Sequence, residues 1–412
     1  MATNLLQPVG LVYIDQDQPT FDAFSRLRVS SPAYVFDAQL TYDLQPLLFE
    51  PITNGSGATV THDATNRCAT CAFSSTPTGG KAYLQTFEHF RYQPGRSQAA
   101  FITFNFNGGV ANVLKFAGYS DGTNGIELQL NGTSPQVVLY SGTTAGNQTF
   151  AQSTWIDRLD GSGPSGIIVD WTKTQILVID MQALYVGRVR LGLDIDGVIR
   201  PFLSIKNANS LAYPYIQSAN LPIRVGMTCT GTVSTTMQYV CSSVASEGGQ
   251  SDVLGYDFSF GADVTAGNGA FAHLMSVRPR TTFNSIANRS RIVLDSIDAM
   301  VTSGANPVLL QVGYGQAITG TTSFNNVNAT YSAMEYNTAG TISGSPTIVQ
   351  QSMTLAATSS GRFSTARLIG SRYPITLDAS GVARSLGTLS IIGYGYTGTS
   401  PVRLNLNWRE IR

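Results

Sequence analysis

The chain has 412 residues, of which 12% are charged and 42% hydrophobic, and its 25 basic residues balance 25 acidic ones. This neutral balance argues against a general nucleic-acid or anionic-membrane surface, because both need concentrated positive charge. With only three histidines and scattered acidic side chains, the composition favours a rigid β-rich building block over a catalyst.

The first 45 residues predict an extended N-terminal arm. Aromatic side chains are isolated among polar ones, prolines occur at Pro19 and Pro32, and no apolar period is sustained. The segment is too apolar for a free tail, so we expect it to dock on a surface of its own subunit or of a neighbour. The residues assigned to docking are Phe21, Phe24, Arg26, Arg28, Tyr34 and Phe36.

Residues 46–247 predict a first β-sandwich. Apolar and polar residues alternate along 126–131 and 189–195, which is typical of strands that bury one face and expose the other. The dipeptides Asn131-Gly132 and Asp196-Gly197 predict hairpin turns. Short strands at this spacing indicate a sandwich of the jelly-roll or lectin-like type.

A second sandwich is predicted over 271–412. SEGGQSD at 246–252 marks a domain boundary, and the Gly-rich residues 248–270 are predicted to be a connection. In the closing strand, Val402 and Trp408 mark the apolar face and Arg403 and Arg409 the polar one, so we expect this strand to pair within a sheet. The predicted fold is therefore all-β, with two antiparallel sandwiches and an N-terminal arm.

The carboxylates offer weak support for catalysis. Asp157, Asp160 and Asp170 form the most acidic block, but a glycosidase needs two carboxylates that face each other across a sugar. Asp194 and Asp196 have a suitable spacing on one strand face. We favour a hairpin turn at Asp196 and a solvated position for Asp194, and we predict no catalytic residue.

Metal sites are also poorly supported. Asp15 with Asp17, or Asp194 with Asp196, could contribute to a calcium site, but no loop has alternating ligands and a closing Glu. We therefore predict neither a metal nor another cofactor.

The four cysteines are predicted to be structural. Cys68 and Cys71 form a CxxC without the second close pair that a zinc ribbon needs, so free thiols are favoured. A disulfide between Cys229 and Cys241 is an alternative that the sequence leaves open.

Histidines and aromatic residues complete the candidate chemistry. His62, His89 and His273 are accompanied by no GxSxG nucleophile motif, and no phosphate-binding loop is present. Exposed aromatic rings could stack on sugars, although core packing is the favoured interpretation. The aromatic candidates are Trp155, Trp171, Tyr394 and Tyr396.

Three segments resemble a known group of proteins. FDAFSRLRVSSPAYVFDAQLTYD at 21–43, the block from WIDRLDG to LDIDG at 155–197, and the closing LNWREIR at 406–412 are similar to virion structural proteins of tailed bacteriophages. The resemblance implies a virion protein associated with the tail, a fibre or head decoration. It implies no catalytic residues.

The sequence thus predicts a non-enzymatic virion component that assembles through its arm and sandwich surfaces. Its expected partners are copies of itself, as a homotrimer, and other virion proteins, with neither nucleic acid nor membrane insertion. MATNLLQPVG lacks the features of a signal peptide, so we expect synthesis in the host cytoplasm. The alternatives are a receptor-binding protein that recognises host surface glycan and, less favoured, a glycan-cleaving enzyme.

Overall fold

The computed structural model describes residues 22, 28, 32–182, 184–218, 220–247, 255–303, 306–356, 359–364 and 375–412. These residues form strands, turns and two short 3-10 helices, at Gln152–Thr154 and Ser385–Gly387, and no α-helix occurs among them. Within these ranges no helix is long and apolar enough to cross a membrane. The prediction of an all-β fold is confirmed.

The strands in the first part of the chain are β1 (Ala33–Gln39), β2 (Phe49–Asn54), β3 (Ala58–Asp63), β4 (Cys68–Thr76), β5 (Lys81–Thr86), β6 (Phe90–Arg91), β7 (Ser97–Asn105), β8 (Val113–Ser120), β9 (Gly125–Asn131), β10 (Ser134–Tyr140), β11 (Gln148–Ala151), β12 (Gln175–Gln182), β13 (Val189–Ile195), β14 (Val198–Ile205), β15 (Asn220–Leu221), β16 (Ile223–Cys229) and β17 (Val233–Ser246).

The strands in the second part are β18 (Tyr256–Asn268), β19 (Phe271–Pro279), β20 (Thr282–Phe283), β21 (Ile286–Ala287), β22 (Arg291–Val301), β23 (Val308–Tyr314), β24 (Ile318–Gly320), β25 (Asn325–Asn326), β26 (Met334–Asn337), β27 (Gly340–Ile342), β28 (Ile348–Leu355), β29 (Ser360–Ser364), β30 (Leu389–Gly395) and β31 (Ser400–Ile411).

The chain divides into two compact units. Unit 1 comprises Met1–Gln45, Pro51–Leu84 and Phe90–Gln250. Unit 2 comprises Pro46–Glu50, Gln85–His89 and Ser251–Arg412. Unit 2 therefore takes two short segments from the region that the sequence assigns to the first sandwich.

Unit 1 is a sandwich of two large antiparallel sheets. In the described residues one sheet has the order β14-β13-β12-β7-β17-β4-β3, and the other has the order β11-β10-β9-β8-β16-β5-β2. The core between them is fully buried; Ile102 and Leu191 come from the first sheet, and Leu128 and Val225 from the second. Burial of these alternate side chains is the main force that holds such a sandwich together.

Both predicted hairpins are present, although Asn131 still pairs with Ser134 and the first turn therefore consists of Gly132 and Thr133. Asp196 and Gly197 join β13 to β14 with φ angles of 55° and 76°, the left-handed values that a two-residue hairpin turn requires. Gly132, at φ 60°, begins the turn that joins β9 to β10. In each hairpin, a turn residue with a left-handed backbone conformation therefore fixes the register of the two strands.

Part of the predicted arm belongs to unit 1. Residues 33–39 form β1, which pairs antiparallel with β17. Phe36 is buried with its ring centroid 4.6 Å from that of Phe90, whereas Tyr34 is 62% exposed. This stretch thus packs on its own sheet, as one of the two sequence interpretations expected. Phe21, Phe24 and Arg26 lie outside the described residues.

Unit 2 is a second sandwich. One half of its sheet has the order β18-β31-β22-β29, and the other half has the order β25-β26-β19-β30 with β23 and β28 beyond β30. The two halves join where β18 runs briefly parallel to β30. Their inward side chains share one buried core, which includes Leu294, Leu310, Ile391 and Leu404.

The prediction of a connection over 248–270 is wrong for residues 256–268, which form β18. This strand pairs with β31 along most of its length. Phe258, Phe260 and Val264 pack against the core of unit 2. The glycines suggested a loop, but the apolar residues at every second position dominate because they bury one face of the strand.

The closing strand confirms the predicted alternation. Val402 and Trp408 are buried on one face of β31, and the strand pairs with β18 and β22 on its two sides. Glu410 is also fully buried, and its carboxylate accepts hydrogen bonds from Ser332 Oγ at 2.5 Å, the Ala333 amide at 2.8 Å and Trp408 Nε1 at 3.1 Å. The C-terminus is thereby fixed to unit 2.

Candidate functional site

A buried ionic cluster holds Arg28 to unit 1. Asp180 on β12 accepts 2.5 Å hydrogen bonds from the guanidinium groups of Arg28 and of Arg190 on β13. Ser97 Oγ donates to the other Asp180 oxygen at 2.7 Å, and Glu247 lies 3.4 Å from Arg28 Nε. We call these five residues the arm anchor.

The arm anchor fixes the position of Arg28 because a buried carboxylate and guanidinium need each other as partners. Asp180 and Arg190 are almost completely buried, so loss of the Asp180 carboxylate would remove the shared acceptor of two guanidinium groups in an environment of low dielectric. Of the six residues predicted to mediate docking, the structure thus places Arg28 in an ionic cluster, Phe36 in a core and Tyr34 at the surface.

A second cluster lies on the outer face of the seven-stranded sheet, on the side of β9 opposite the core residues. Gln136 Nε2 donates to Gln129 Oε1 at 2.8 Å. Gln129 Nε2 in turn donates to Glu127 Oε2 and to the Tyr140 hydroxyl oxygen, both at 2.8 Å. Glu127 and Gln129 are buried, so the prediction that this face of the strand is wetted is wrong.

Arg224 on β16 completes this cluster. Its guanidinium carbon lies 4.3 Å from the Tyr83 ring centroid and 4.8 Å from that of Phe116. Arg224 Nη1 is 3.8 Å from Glu127 Oε1. Glu127 and Arg224 both pair in register with Gly118. Because Gly118 has no side chain, the side chains of Glu127 and Arg224 approach each other above it. We call the set the outer-face row; it comprises Tyr83, Phe116, Glu127, Gln129, Gln136, Tyr140 and Arg224.

The outer-face row has unused hydrogen-bonding capacity. Glu127 Oε1 and Arg224 Nε are buried atoms without a hydrogen-bond partner in the described structure. Burial, assisted by the negative charge of Glu127, raises the pKa of Tyr140 to about 12, so its hydroxyl stays protonated at neutral pH. The row therefore contains donors and acceptors close to aromatic rings, with one acidic and one basic charge.

A cavity in unit 2 is lined by a buried histidine. His89 Nδ1 lies 3.3 Å from the Phe87 carbonyl oxygen, so Nδ1 carries the proton, and Nε2 has no hydrogen-bond partner. Burial, together with the nearby Arg289 charge, lowers the pKa of His89 to about 3. Arg289 donates to the backbone carbonyl oxygens of Asp378 and Ala379, at 2.7 and 2.9 Å.

The acidic candidates of the first block have structural positions. Asp160 and Asp170 accept hydrogen bonds from Ser162 and Thr172 in exposed turns, and these bonds lower the pKa of both carboxyl groups. Asp157 is buried beneath this region.

The second acidic pair also has a structural place. Asp196 is a turn residue, as the sequence predicts, and Asp194 is half-buried at the end of β13. Across the described ranges, no group of three His, Cys, Asp or Glu side chains is arranged to hold a metal ion. Asp15 and Asp17 lie outside these ranges.

The cysteines all have free thiols. Cys68 and Cys71 lie on β4, and burial raises the pKa of Cys71 to about 12. The alternative of a Cys229–Cys241 disulfide is wrong: both thiols are free, and Cys229 Sγ donates to the Pro77 carbonyl oxygen at 3.1 Å whereas Cys241 Sγ lies 3.4 Å from Thr103 Oγ1.

The remaining histidines have structural partners. His62 Nε2 lies 2.9 Å from the Leu40 carbonyl oxygen. His273 Nε2 lies 2.8 Å from Ser276 Oγ, and burial lowers the pKa of His273. Hydrogen bonds of this kind orient an imidazole ring, which is a structural role.

The aromatic candidates separate into core and surface residues. Trp155 is buried against Phe202, with ring centroids 4.4 Å apart, as the core interpretation expects. Trp171 is half-buried beside Phe106. Tyr396 is exposed and packs edge-on to Tyr394 at 5.3 Å. The sequence analysis did not select the outer-face row, although the alternation along β9 places Glu127 and Gln129 on one face.

Comparison with known proteins finds no matching family model and no matching curated protein. A glycosyl hydrolase family protein from Mycobacterium fortuitum is 15% identical over 51% of this chain and 99% of that chain, with a TM-score of 0.34. The Emp47p carbohydrate recognition domain is 10% identical over 53% and 97%, with a TM-score of 0.33. An endo-beta-1,4-glucuronan lyase from Trichoderma reesei is 12% identical over 52% and 95%, with a TM-score of 0.30. Values this low support no inference about activity.

Proposed function

We propose that this chain is a non-enzymatic structural subunit of a tailed-phage virion, positioned by its N-terminal arm and its sandwich surfaces. The observation that carries the proposal is the arm anchor. It joins the first two segments that resemble virion proteins, because Arg28 belongs to residues 21–43 and Asp180 and Arg190 belong to residues 155–197. The resemblance therefore includes residues that attach the arm to the sandwich.

The third resembling segment has a comparable structural role. Residues 406–412 contain Trp408 and Glu410, which are buried in unit 2 and joined by a hydrogen bond. A structural subunit depends on side chains that stabilise its fold. This supports assembly as the function that these segments serve.

The region around β1 offers surface for a neighbouring subunit. Tyr34 is 62% exposed, and Tyr42, just beyond the strand, is 84% exposed. Tyrosine rings are favoured at protein interfaces because they bury a large apolar area and keep a polar hydroxyl. Such burial needs no net charge, which agrees with the neutral composition.

Removal of residues 1–27 tests the role of the arm while leaving Arg28 and β1 in place. We expect the truncated chain to retain a cooperative thermal unfolding transition but to be absent from particles, measured by quantitative blotting of purified virions. Arg28→Ala should reduce incorporation in the same assay. Truncated protein present in particles at full occupancy would refute the assembly role of the arm.

Arg158→Ala is the matched control for Arg28→Ala. Arg158 is exposed in unit 1 and lies outside the arm anchor, so this variant should enter particles normally. We further propose that the purified chain associates as a homotrimer, which light scattering can measure. A monomer at every concentration tested would contradict self-assembly.

A further inference from the structure

We propose that an exposed aromatic surface of unit 2 binds residues 1–21 of a neighbouring copy of this chain. The inference rests on the proposed function, because it assigns a docking surface to the arm of a structural subunit. We call this surface the aromatic patch; it comprises Tyr256, Arg280, Phe283, Ile286, Tyr331 and Arg412.

Arg412 lies at the centre of the aromatic patch. Its guanidinium carbon is 4.9 Å from the Tyr256 ring centroid and 4.6 Å from that of Phe283. Arg412 Nη2 also donates to the Tyr331 carbonyl oxygen at 2.5 Å. Phe283 pairs in register with Ile286 across the short hairpin of β20 and β21. These contacts gather four large apolar residues around one guanidinium group.

The apolar residues of the aromatic patch are accessible to a ligand. Ile286 is 72% exposed, Tyr331 67% and Tyr256 64%. Single exposed apolar residues are common on protein surfaces, but a contiguous group of them is typical of an interaction site. Tyrosine and arginine are also among the residues that contribute most to binding at protein interfaces. We therefore expect the ligand to be a protein segment.

The electrostatics of the patch narrow the chemistry of that segment. Glu410 Oε2 lies 3.5 Å from Arg412 Nη2 and compensates the charge of Arg412. Arg280 Nη1, by contrast, donates to the carbonyl oxygens of Ala329 and Ser332, at 3.0 and 3.1 Å. These carbonyl groups are neutral, so they leave the positive charge of Arg280 uncompensated. A segment that combines apolar side chains with negative charge therefore suits the patch.

Residues 1–21 have the matching composition. Their only charged side chains are Asp15 and Asp17, and the apolar run Leu11-Val12-Tyr13-Ile14 immediately precedes these two carboxylates. The run supplies side chains that can pack on the exposed rings, and the carboxylates supply the charge that Arg280 lacks in a partner. Apolar and electrostatic complementarity thus favour the same segment.

The length of this segment allows it to reach a neighbouring copy. Asp22, the first described residue, is buried and belongs to unit 1. Fully extended, residues 1–21 span up to roughly 70 Å, whereas compact units of this size have radii of gyration of about 15 Å. An arm that binds the next copy makes a heterologous contact, and repeated contacts of this type can close into a ring. A ring of three copies agrees with the homotrimer proposed above.

Two full-length variants with complementary defects test the proposal. The patch variant, Ile286→Ser with Tyr331→Ala, removes apolar surface, and the arm variant, Asp15→Arg with Asp17→Arg, reverses the charge of the arm. Each variant should weaken self-association by roughly tenfold or more. At the lowest concentration that keeps the unsubstituted chain trimeric, sedimentation velocity should therefore show each variant as a monomer.

Mixing the two variants distinguishes a neighbour's patch from the patch of the same chain. An equimolar mixture should form pairs of one patch variant and one arm variant, because an intact arm then meets an intact patch on the other chain. The control is Tyr213→Ala, an exposed tyrosine of unit 1 outside the patch, which should remain trimeric. Thermal unfolding establishes that each variant is folded. A folded patch variant that remains trimeric, or a mixture that remains monomeric, would overturn the proposal.

Failure of this inference can be distinguished from failure of the proposed function. A fluorescent peptide of residues 1–21 should bind the arm variant, whose patch is intact, and should bind the patch variant roughly tenfold more weakly, measured by anisotropy. Equal binding to both variants would refute the aromatic patch as the docking surface and would leave the structural role untouched. Full incorporation of the chain that lacks residues 1–27 would refute the assembly role of the arm, whatever the peptide binds.

Discussion

Three buried charges among the described residues are matched by specific partners. Asp180 is shared by two guanidinium groups, and Glu410 accepts from a hydroxyl, an amide and an indole. Lys115 donates from Nζ to the carbonyl oxygens of Phe106, Gly108 and Thr236, at 2.5, 3.0 and 2.9 Å. Burying a charge is costly unless it is paired and hydrogen-bonded, so each position constrains the fold around it. His89, whose Nε2 lacks a partner, is the contrasting case.

Protonation of His89 should make the stability of unit 2 depend on pH. The pKa of His89 is lowered from 6.5 to about 3 in the folded chain. Between these values the unfolded chain binds a proton that the folded chain does not, so stability falls as pH decreases through this window. At about pH 4.5 the loss should be roughly 2–3 kcal/mol relative to neutral pH.

Urea unfolding of the chain and of His89→Gln, each at neutral and acidic pH, measures this effect. Glutamine keeps a donor for the Phe87 carbonyl oxygen but does not titrate in this range. The variant should therefore lose less stability on acidification than the unsubstituted chain does. Equal losses in both proteins would show that His89 does not contribute to the acid sensitivity.

Glu410→Ala should destabilise unit 2 by about 3 kcal/mol, because it leaves buried donors unsatisfied. The donors concerned are Ser332 Oγ, the Ala333 amide and Trp408 Nε1. Glu410→Gln keeps one acceptor oxygen and should cost less. Faster hydrogen exchange in peptides from β31 is the measurement.

Asp257→Ala is the control for the Glu410 variants. Asp257 pairs with Arg409 at 2.7 Å, but its side chain is exposed, so water screens the interaction. Its removal should cost less than about 1 kcal/mol. If the two alanine variants accelerate exchange in β31 equally, burial does not explain the importance of Glu410.

At the scale of strands, much of the fold could be predicted from the sequence. Alternation identified the inward faces of β9, β13 and β31, and short turn residues located two hairpins. The outer-face row could not be predicted, because alternation assigns residues to a face but does not show what covers that face. β18 was missed because its glycines suggested a connection.

Gly118 is predicted to be essential for the pairing of β8 with β9. A Cβ there would lie 2.4 Å from the Ile126 carbonyl oxygen and 2.8 Å from Glu127 Cα. Both are backbone atoms, which cannot move away without disrupting the sheet. Gly118→Ala should therefore destabilise unit 1 by about 3 kcal/mol, measured as a lower urea midpoint.

Gly132→Ala is the matched control in the hairpin that follows. Its φ is 60°, and an added Cβ would meet no atom within 4 Å. Only the left-handed backbone opposes the substitution, so the cost should be about 1 kcal/mol. A midpoint for Gly118→Ala at or above that of Gly132→Ala would contradict the role given to the close approach.

At the scale of the whole molecule, the sequence pattern predicted only part of the division into units. Composition placed one boundary near residues 246–252, and unit 2 indeed contains the chain from Ser251 onward. It also contains Pro46–Glu50 and Gln85–His89, which are far away in sequence. Local patterns cannot indicate such exchanges, because they depend on contacts between distant segments.

This discontinuity predicts that residues 251–412 alone form a weakened unit 2. Arg384 lies 3.7 Å above the centroid of the Phe87 ring, and Glu50 accepts a hydrogen bond from the Ala379 amide at 2.8 Å. The isolated fragment lacks both partners and exposes the apolar surface beneath Phe87. We expect a loss of stability on the order of 3 kcal/mol.

Hydrogen exchange in β22 and β31, compared between the fragment and the full chain, measures this loss. Phe87→Ala and Glu50→Ala in the full chain should each reproduce part of it, because each removes one of the two contacts. Slow exchange in the fragment, equal to that in the full chain, would show that residues 251–412 fold independently. In that case the two short segments would lie on unit 2 without stabilising it.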